Sequence, residues 1–369
     1  MFGSGRNDRF ASDMKEPIIA VTMGDPAGIG PEVIIKAHRA LLSAGNPLNK
    51  LVVGDLALLQ AVSDATDSRV KLSRIEEAKV VQVPRLVRDD PESLFVMDLA
   101  NVDREVLCYG KPDMFTGKAA IDYIVTALSL CKKDAVSAIA TAPVSKKAIC
   151  DAGVAFTGHT GLIANALGVR DYAMMFVCHK LRVFLLTTHV PLSKVPAYVT
   201  QKNVSRLILL AERTLTRFFG IARPKIAVCG LNPHAGEEGV IGEEETAAIL
   251  PALAYARKEK IDAQGPFPAD ALFAAENAQE FDAIIAMYHD QGLIPVKMTD
   301  FRHAVNVTVG LPVVRVSVSH GTANDIAGKW IADPTSMVEA LKLADAMTRT
   351  LLNPGSAFTH SGNERIIAS

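Results

Sequence analysis

Short runs of β-branched and aliphatic residues alternate along the chain with longer stretches whose apolar positions recur at helical spacing. The runs predict strands at Ile18–Met23, Leu51–Val53, Lys79–Val83, Leu94–Asp98, Val136–Thr141, Arg182–Thr187, Lys225–Gly230, Asp282–Met287, Val305–Val309 and Val313–Val318. The longer stretches predict helices at Pro31–Ser43, Thr116–Lys132, Gln201–Phe219, Glu243–Lys258 and Ser336–Leu352. Strands alternating with helices point to parallel βαβ units. Several strands are apolar throughout, as expected when helices cover both faces of a sheet. A chain of 369 residues suits two such α/β domains. The expected division is a tail over 1–16, a first domain over 17–150 plus 329–369, and a second over 151–328. No short repeat, low-complexity tract or proline-rich linker interrupts the pattern.

Polar residues gather where strands end. Thr187-Thr188-His189, Asn232-Pro233-His234 and Tyr288-His289-Asp290 each follow directly on an apolar run. In open α/β sheets ligands bind at the carboxyl ends of strands. One histidine so placed is more often structural than functional. Three at equivalent positions make a catalytic divalent-metal site a serious reading, because such sites take three protein ligands and leave a position open. Asp290 beside His289 is then a candidate orienting or acid–base group.

His159 and Thr160 follow Phe156-Thr157-Gly158 and precede a helix-like run, so backbone N–H groups and a hydroxyl are available to an anion. Lys297, Asn306 and Arg315 lie downstream and are candidates to hold a phosphate or carboxylate. The segment Gly24-Asp25-Pro26-Ala27-Gly28-Ile29-Gly30-Pro31-Glu32 follows a strand and opens a helix. It is neither a G-x-G-x-x-G fingerprint, since Val33 takes the third glycine's place, nor a G-x-x-x-x-G-K-[ST] loop. Ser319 to Lys329 form a second small-residue polar segment.

Composition narrows the partners. The net charge is −1, which argues against nucleic acid as a main partner. The five cysteines contain no C-x-x-C pair, which fits a reducing, cytoplasmic compartment rather than a disulfide framework. No uninterrupted apolar run approaches a bilayer span, and the Gly-, Ser- and charge-rich start has no apolar signal core, so no membrane association is expected and the tail reads as disordered.

Taken together, MGDPAGIGPE, TAPVSK, FTGHT, TTHVPL, CGLNPHAGEEG, PFPADALF, AMYHDQGLIPVK, VNVTVGLPVVR and SHGTANDIAG make the chain resemble the 4-hydroxythreonine-4-phosphate dehydrogenase family of vitamin B6 synthesis, over roughly residues 18 to 350. The resemblance implies two α/β/α sandwich domains with a cleft between them, like those of isocitrate and isopropylmalate dehydrogenases. It also implies a homodimer with shared active sites, NAD or NADP as cofactor, and one divalent metal per site (zinc, magnesium, manganese or cobalt). Carried over by position, it implies metal ligands His189, His234 and His289 and substrate contacts His159, Thr160, Lys297, Asn306 and Arg315. The loop His320–Lys329 has the form of the cofactor-holding loop of the cousin dehydrogenases, with His320, Gly321, Thr322 and Asn324 as cofactor contacts. Asp270 and Asp290 are the catalytic candidates. The implied reaction oxidises a phosphorylated β-hydroxy acid, foremost 4-phosphohydroxy-L-threonine, with decarboxylation of the keto product. Gly161 stands where the biosynthetic enzymes usually carry Glu, and Ser319 replaces a common acidic residue. The branches acting on 4-phospho-D-threonate, 4-phospho-D-erythronate or an aromatic cis-dihydrodiol therefore stay open. A metal-dependent hydrolase or a fold-retaining binding module are rivals of another class. The first leaves the His320–Lys329 loop unexplained, and the second is disfavoured by three intact histidines.

Overall fold

The structure, a computed structural model, describes residues 16–156, 158–354 and 358. Apart from Glu16, the tail expected over 1–16 lies outside the described residues, as does Thr157. Glu16 is anchored by Arg88, 2.6 Å away, and by Asn49.

The chain opens with β1 (Ile19–Thr22), α1 (Gly30–Ser43), β2 (Lys50–Gly54), α2 (Leu56–Ala65), β3 (Lys71–Arg74), α3 (Val83–Asp89), β4 (Ser93–Asp98), α4 (Met114–Lys132), β5 (Ala138–Thr141), α5 (Lys146–Asp151) and α6 (His159–Ala166). The strands pair in parallel in the order β3-β4-β2-β1-β5. β1, β2 and β5 are buried along their whole length, as expected for a sheet covered on both faces. Pro31 sits in the first turn of α1, where its missing N–H costs nothing. Asp113 and Thr116 close a reciprocal capping box on α4. α4 has the length and hydropathy of a membrane span, yet more than half of it is buried in the fold. Its Gly117 lies so close to α5 that a Cβ would stand 2.2 Å from the Ala148 carbonyl oxygen.

The strand expected at Lys79–Val83 is instead a 3-10 turn (Glu77–Gln82) running into α3. Val80, Val83 and Val87 are buried while Val81 is exposed, so the buried positions follow a helical and not an alternating period. Pro84 in the first turn of α3 reinforces the choice.

A second compact unit follows, built from β6 (Ala173–Cys178), β7 (Leu181–Leu185), α7 (Gln201–Phe219), β8 (Lys225–Cys229), α8 (Leu250–Lys258), β9 (Asp262–Phe267), the single turns α9 (Ala269–Leu272) and α10 (Ala275–Ala278), β10 (Ala283–Ala286), α11 (His289–Asp300) and β11 (Val305–Val309). Its strand order is β11-β6-β7-β10-β8-β9. β11, β6 and β7 are antiparallel neighbours, whereas β7, β10, β8 and β9 run parallel. The single helix expected over Glu243–Lys258 is broken into a π-helical turn (Glu245–Ile249) followed by α8. Pro251 supplies the cause, since it cannot donate the N–H that a continuous α-helix would need there.

The chain then returns to the first unit. β12 (Val314–Val318) pairs in parallel with β5, and α12 (Thr335–Leu352) packs against both. The units divide at Arg170/Asp171 and Gly310/Leu311, where the sequence placed boundaries at 150/151 and 328/329, and the described residues after Leu352 group with the second unit and not, as expected, with the first. α6 and β12 belong to the first unit because one follows α5 and the other completes the parallel sheet. Both units are mixed α/β, as the alternating pattern required.

Candidate active site

β7, β10 and β8 are adjacent and parallel, with Leu185 opposite Ala286 and Ile285 opposite Val228, so their carboxyl ends lie side by side. Each leads within a few residues to a candidate metal ligand: His189 after β7, His289 after β10 and His234 after β8. Backbone and side-chain bonds tie these ends together. Thr187 donates through its hydroxyl to the Met287 carbonyl at 2.8 Å. The Gln291 side chain accepts from Met287 N at 2.7 Å and donates to the Gly230 carbonyl at 2.8 Å, bracing β10 against β8.

The His189 and His289 rings lie 5.9 Å apart by centroid and flank a cavity of about 310 Å³, also lined by Tyr288, Asp290, Val190, Leu192 and Val195. His289 opens α11, and its Nδ1 is 2.7 Å from Asp290 Oδ1. His234 Nδ1 is 2.6 Å from Glu237 Oε1. Glu237 first, then Asp270, raise the His234 pKa above the usual histidine range. In both histidines a carboxylate engages Nδ1 and leaves Nε2 as the donor, the arrangement that orients metal-binding imidazoles. The donor chemistry therefore fits a borderline divalent cation. The three rings do not close to coordination distance within the chain. Among the described residues, the trio whose donor atoms all lie within 4.8 Å is a different one, His179, Asp300 and His303.

His234 stands on an uncommon turn. Residues His234 to Glu238 all have positive φ, from 41° to 80°. Four of them are not glycine, so the turn is strained and must be held from outside. Glu245 does this. Buried at the start of the π-helical turn, its Oε1 accepts from Leu231 N at 2.7 Å and Asn232 N at 2.8 Å, and its Oε2 accepts from Asn232 Nδ2. A Cβ on Gly236 would stand 2.6 Å from the same carboxylate. Glu245→Ala is expected to lower unfolding free energy by about 2–5 kcal/mol, since two N–H groups lose their acceptor. Glu245→Gln, which keeps an acceptor oxygen, should lose less. Urea unfolding followed by circular dichroism tests this, and a wild-type midpoint for the alanine variant would refute it.

The candidate substrate residues fall in both units. In the first, Arg315 on β12 is almost fully buried and donates through Nη2 to Thr141 Oγ1 at 2.8 Å. Burial lowers its pKa to about 9, still above neutrality, so the guanidinium is charged at pH 7. His159, the first residue of α6, packs edge-on against Phe156, and its buried Nε2 has no hydrogen-bond partner. Burial first, then the Arg315 and Lys146 cations, hold its pKa well below the usual range, so the ring is neutral at pH 7. Thr160 follows it in the first turn of α6. In the second unit, Lys297 is exposed on α11, and Asn306 on β11 keeps a buried Oδ1 without a partner. Asp270 lies in the first turn of α9 and is exposed.

The glycine-rich turn after β1 packs on the candidate cofactor segment. Ile29 N donates to the Thr322 carbonyl at 3.1 Å, and a Cβ on Gly28 would meet Thr322 at 3.1 Å. Gly110 approaches the Asn324 carbonyl so closely that a Cβ would stand 2.4 Å from it. His320 has a buried Nε2 without a hydrogen-bond partner, and the space around Gly321 is open. Polar capacity beside open space suits a polar cofactor.

A family model, "Pyridoxal phosphate biosynthetic protein PdxA", matches residues 47–344. The chain belongs to this family. It is 42% identical over 330 residues to 4-hydroxythreonine-4-phosphate dehydrogenase of Desulforapulum autotrophicum, covering 89% of this chain and 94% of that one. It is 43% identical over 329 residues to D-threonate 4-phosphate dehydrogenase of Cupriavidus necator, covering 88% and 96%. The crystal structure of 4-hydroxythreonine-4-phosphate dehydrogenase from Klebsiella pneumoniae superposes with a TM-score of 0.79 at 38% identity, covering 90% of this chain and all of that one. The family resemblance and the α/β fold expected from the sequence both hold.

Glu245 and Gln291, which position the histidine-bearing strand ends, carry no signal in the sequence pattern. Glu245 lies in a stretch that reads as an amphipathic helix. The one local cue is Pro251, which interrupts that helix.

Proposed function

We propose that this PdxA-family chain is a metal-dependent NAD(P) dehydrogenase that oxidises a phosphorylated four-carbon β-hydroxy acid, whose keto product then loses carbon dioxide. The observation that carries the reading is the set of three histidines at the adjacent carboxyl ends of β7, β10 and β8. A cation held by His189, His234 and His289 would polarise the substrate hydroxyl and lower its pKa, and a nicotinamide held by the His320–Asn324 segment would take up the hydride. Asp290, engaged with His289, is assigned to positioning. That leaves Asp270, whose charge acts on His234, as the acceptor of the hydroxyl proton. Arg315, His159 and Thr160 are assigned to the phosphate, while Lys297 and Asn306 join the substrate set on the family motif alone. Phosphate binding remote from the reacting carbon holds that carbon in place.

Relatives at 42% and 43% identity carry the names of different substrates, 4-hydroxythreonine 4-phosphate and D-threonate 4-phosphate. 4-Phosphohydroxy-L-threonine is taken as the first candidate, and Gly161, where the resemblance implies Glu in the biosynthetic enzymes, makes the D-threonate compound its first alternative. The deciding experiment assays both compounds, with 4-phospho-D-erythronate and the aromatic dihydrodiol, against NAD and NADP with zinc, magnesium, manganese and cobalt. Absence of turnover with every phosphorylated compound would overturn the proposal.

The working form is proposed to be a homodimer in which the three histidines of one site come from two chains. Two features support this: the failure of the rings to converge within one chain, and the exposed Ile294, Met298 and Phe301 along one face of α11. Two inactive variants that each lack a ligand from a different chain should then complement on mixing. A random hybrid regains about one quarter of the sites, because half the dimers are mixed and each has one intact site. Pairwise mixing of His189→Ala, His234→Ala and His289→Ala tests this, and no recovery in any pairing would refute the shared site.

A further inference from the structure

β6 and β7 are joined by a two-residue turn, His179-Lys180, in which His179 adopts a φ of +52°. The turn brings His179 to the far end of α11, where Asp300 and His303 lie. His179 Nε2 is 3.4 Å and His303 Nδ1 2.8 Å from the same oxygen, Asp300 Oδ2. The two rings are 5.2 Å apart by centroid, tilted by 31°. The carboxylate is pinned by its other oxygen, Oδ1, which accepts from Arg302 N and His303 N. The Asp300 carbonyl also accepts from Cys178 Sγ at 3.4 Å. His303 Nδ1 is buried and, although close to the carboxylate, is not aligned for a hydrogen bond. Two imidazoles and a carboxylate thus present donor atoms that all lie within 4.8 Å of one another.

We propose that His179, Asp300 and His303 form a divalent-metal site for a zinc-class cation, clipping the β6–β7 turn to the C-terminal end of α11. The chemistry is that of borderline cations, which take imidazole nitrogen and carboxylate oxygen at about 2.0–2.2 Å. Tetrahedral ligands at that range are about 3.4 Å apart, the spacing of His179 Nε2 from Asp300 Oδ2; His303 Nδ1, at 2.8 Å, has to move outward to admit an ion. The end of a helix adds favourable negative potential for a cation. All three residues are half-buried. The site is separate from the candidate active site. α11 is 12 residues long, or about 18 Å, with His289 at one end and Asp300 at the other. A bound ion would close the long chain segment between His179 and Asp300 and fix the helix that begins at His289, which makes its role structural.

The test is zinc titration of the EDTA-stripped full chain in competition with a chromophoric chelator. In a His189→Ala/His234→Ala/His289→Ala background, one equivalent of zinc should still bind. Adding His179→Gln and His303→Gln should weaken it at least tenfold, with Asp300→Asn doing the same. Cobalt in that background should give the visible bands of a low-coordinate ion, lost in the same variants. If the triple background does not fold, His179→Gln/His303→Gln in the otherwise wild-type chain should bind one equivalent fewer than wild type. The two proposals fail separately: zinc lost only with His179 and His303 would sink the active-site assignment and leave this one standing. Zinc uptake unchanged by His179→Gln/His303→Gln would overturn the clip.

Discussion

Replacing His189, His234 or His289 by alanine is expected to remove the cation from the candidate active site and reduce kcat by on the order of 10³-fold or more, comparable with losing a principal electrostatic contributor to a transition state. The fold should survive, because the rings lie beyond the strand ends and not within the buried strands β7, β8 and β10. The bonds that hold those ends come from Thr187, Gln291 and Glu245, which the substitutions leave in place. Far-UV circular dichroism and thermal midpoints should therefore match wild type while metal content and turnover fall together. Asp290→Asn keeps the shape of the group beside His289 but removes its charge, and should weaken metal binding by about 10–100-fold. Full activity after exhaustive chelation would refute the metal assignment for all three histidines.

The sequence made these histidines visible because a buried parallel strand is apolar throughout, so the first polar cluster after it marks the carboxyl end. Ile226–Cys229 and Ala283–Ala286 are buried without exception, and Asn232–His234 and Tyr288–Asp290 follow at once. The strands that went unread lack that signature. β3 is Lys-Leu-Ser-Arg and β9 is Asp-Ala-Gln-Gly-Pro-Phe, both at the edge of their unit's sheet, where one side carries no neighbour and polar residues, glycine and proline are tolerated. β6 contains two methionines, which carry little strand preference, and its place is fixed by its hairpin with β7. The left-handed turn at His234 was illegible for another reason. Only Gly236 among residues 234–238 announces positive φ, and the carboxylate that braces the turn comes from Glu245, farther along the chain. The trio His179, Asp300 and His303 escaped notice because its members are brought together by a hairpin and a helix end, which no local spacing encodes.

The phosphate assignment predicts a selective loss. Arg315→Met should lower kcat/KM for a phosphorylated substrate by about 10–10²-fold and change it much less for the unphosphorylated analogue. The reason lies in burial. Arg315 is almost wholly shielded from water and held by Thr141, so its charge is poorly screened and its direction is set before any ligand arrives. Its pKa of about 9 keeps it cationic at assay pH. A charge-assisted bond from such a group contributes about 1.5–3 kcal/mol, and each 1.4 kcal/mol is a factor of ten. His159 is held neutral by burial and by the same arginine, so on this assignment it would offer a hydrogen bond and no charge. His159→Ala should accordingly cost less than Arg315→Met and should show a weaker dependence on phosphate ionisation. Methionine preserves much of the arginine's apolar volume, but any residual packing damage acts on both substrates alike. The ratio of the two kcat/KM losses therefore isolates the phosphate. Equal losses for the two compounds would mean that Arg315 serves the sheet, and the anion would then have to be assigned to other residues.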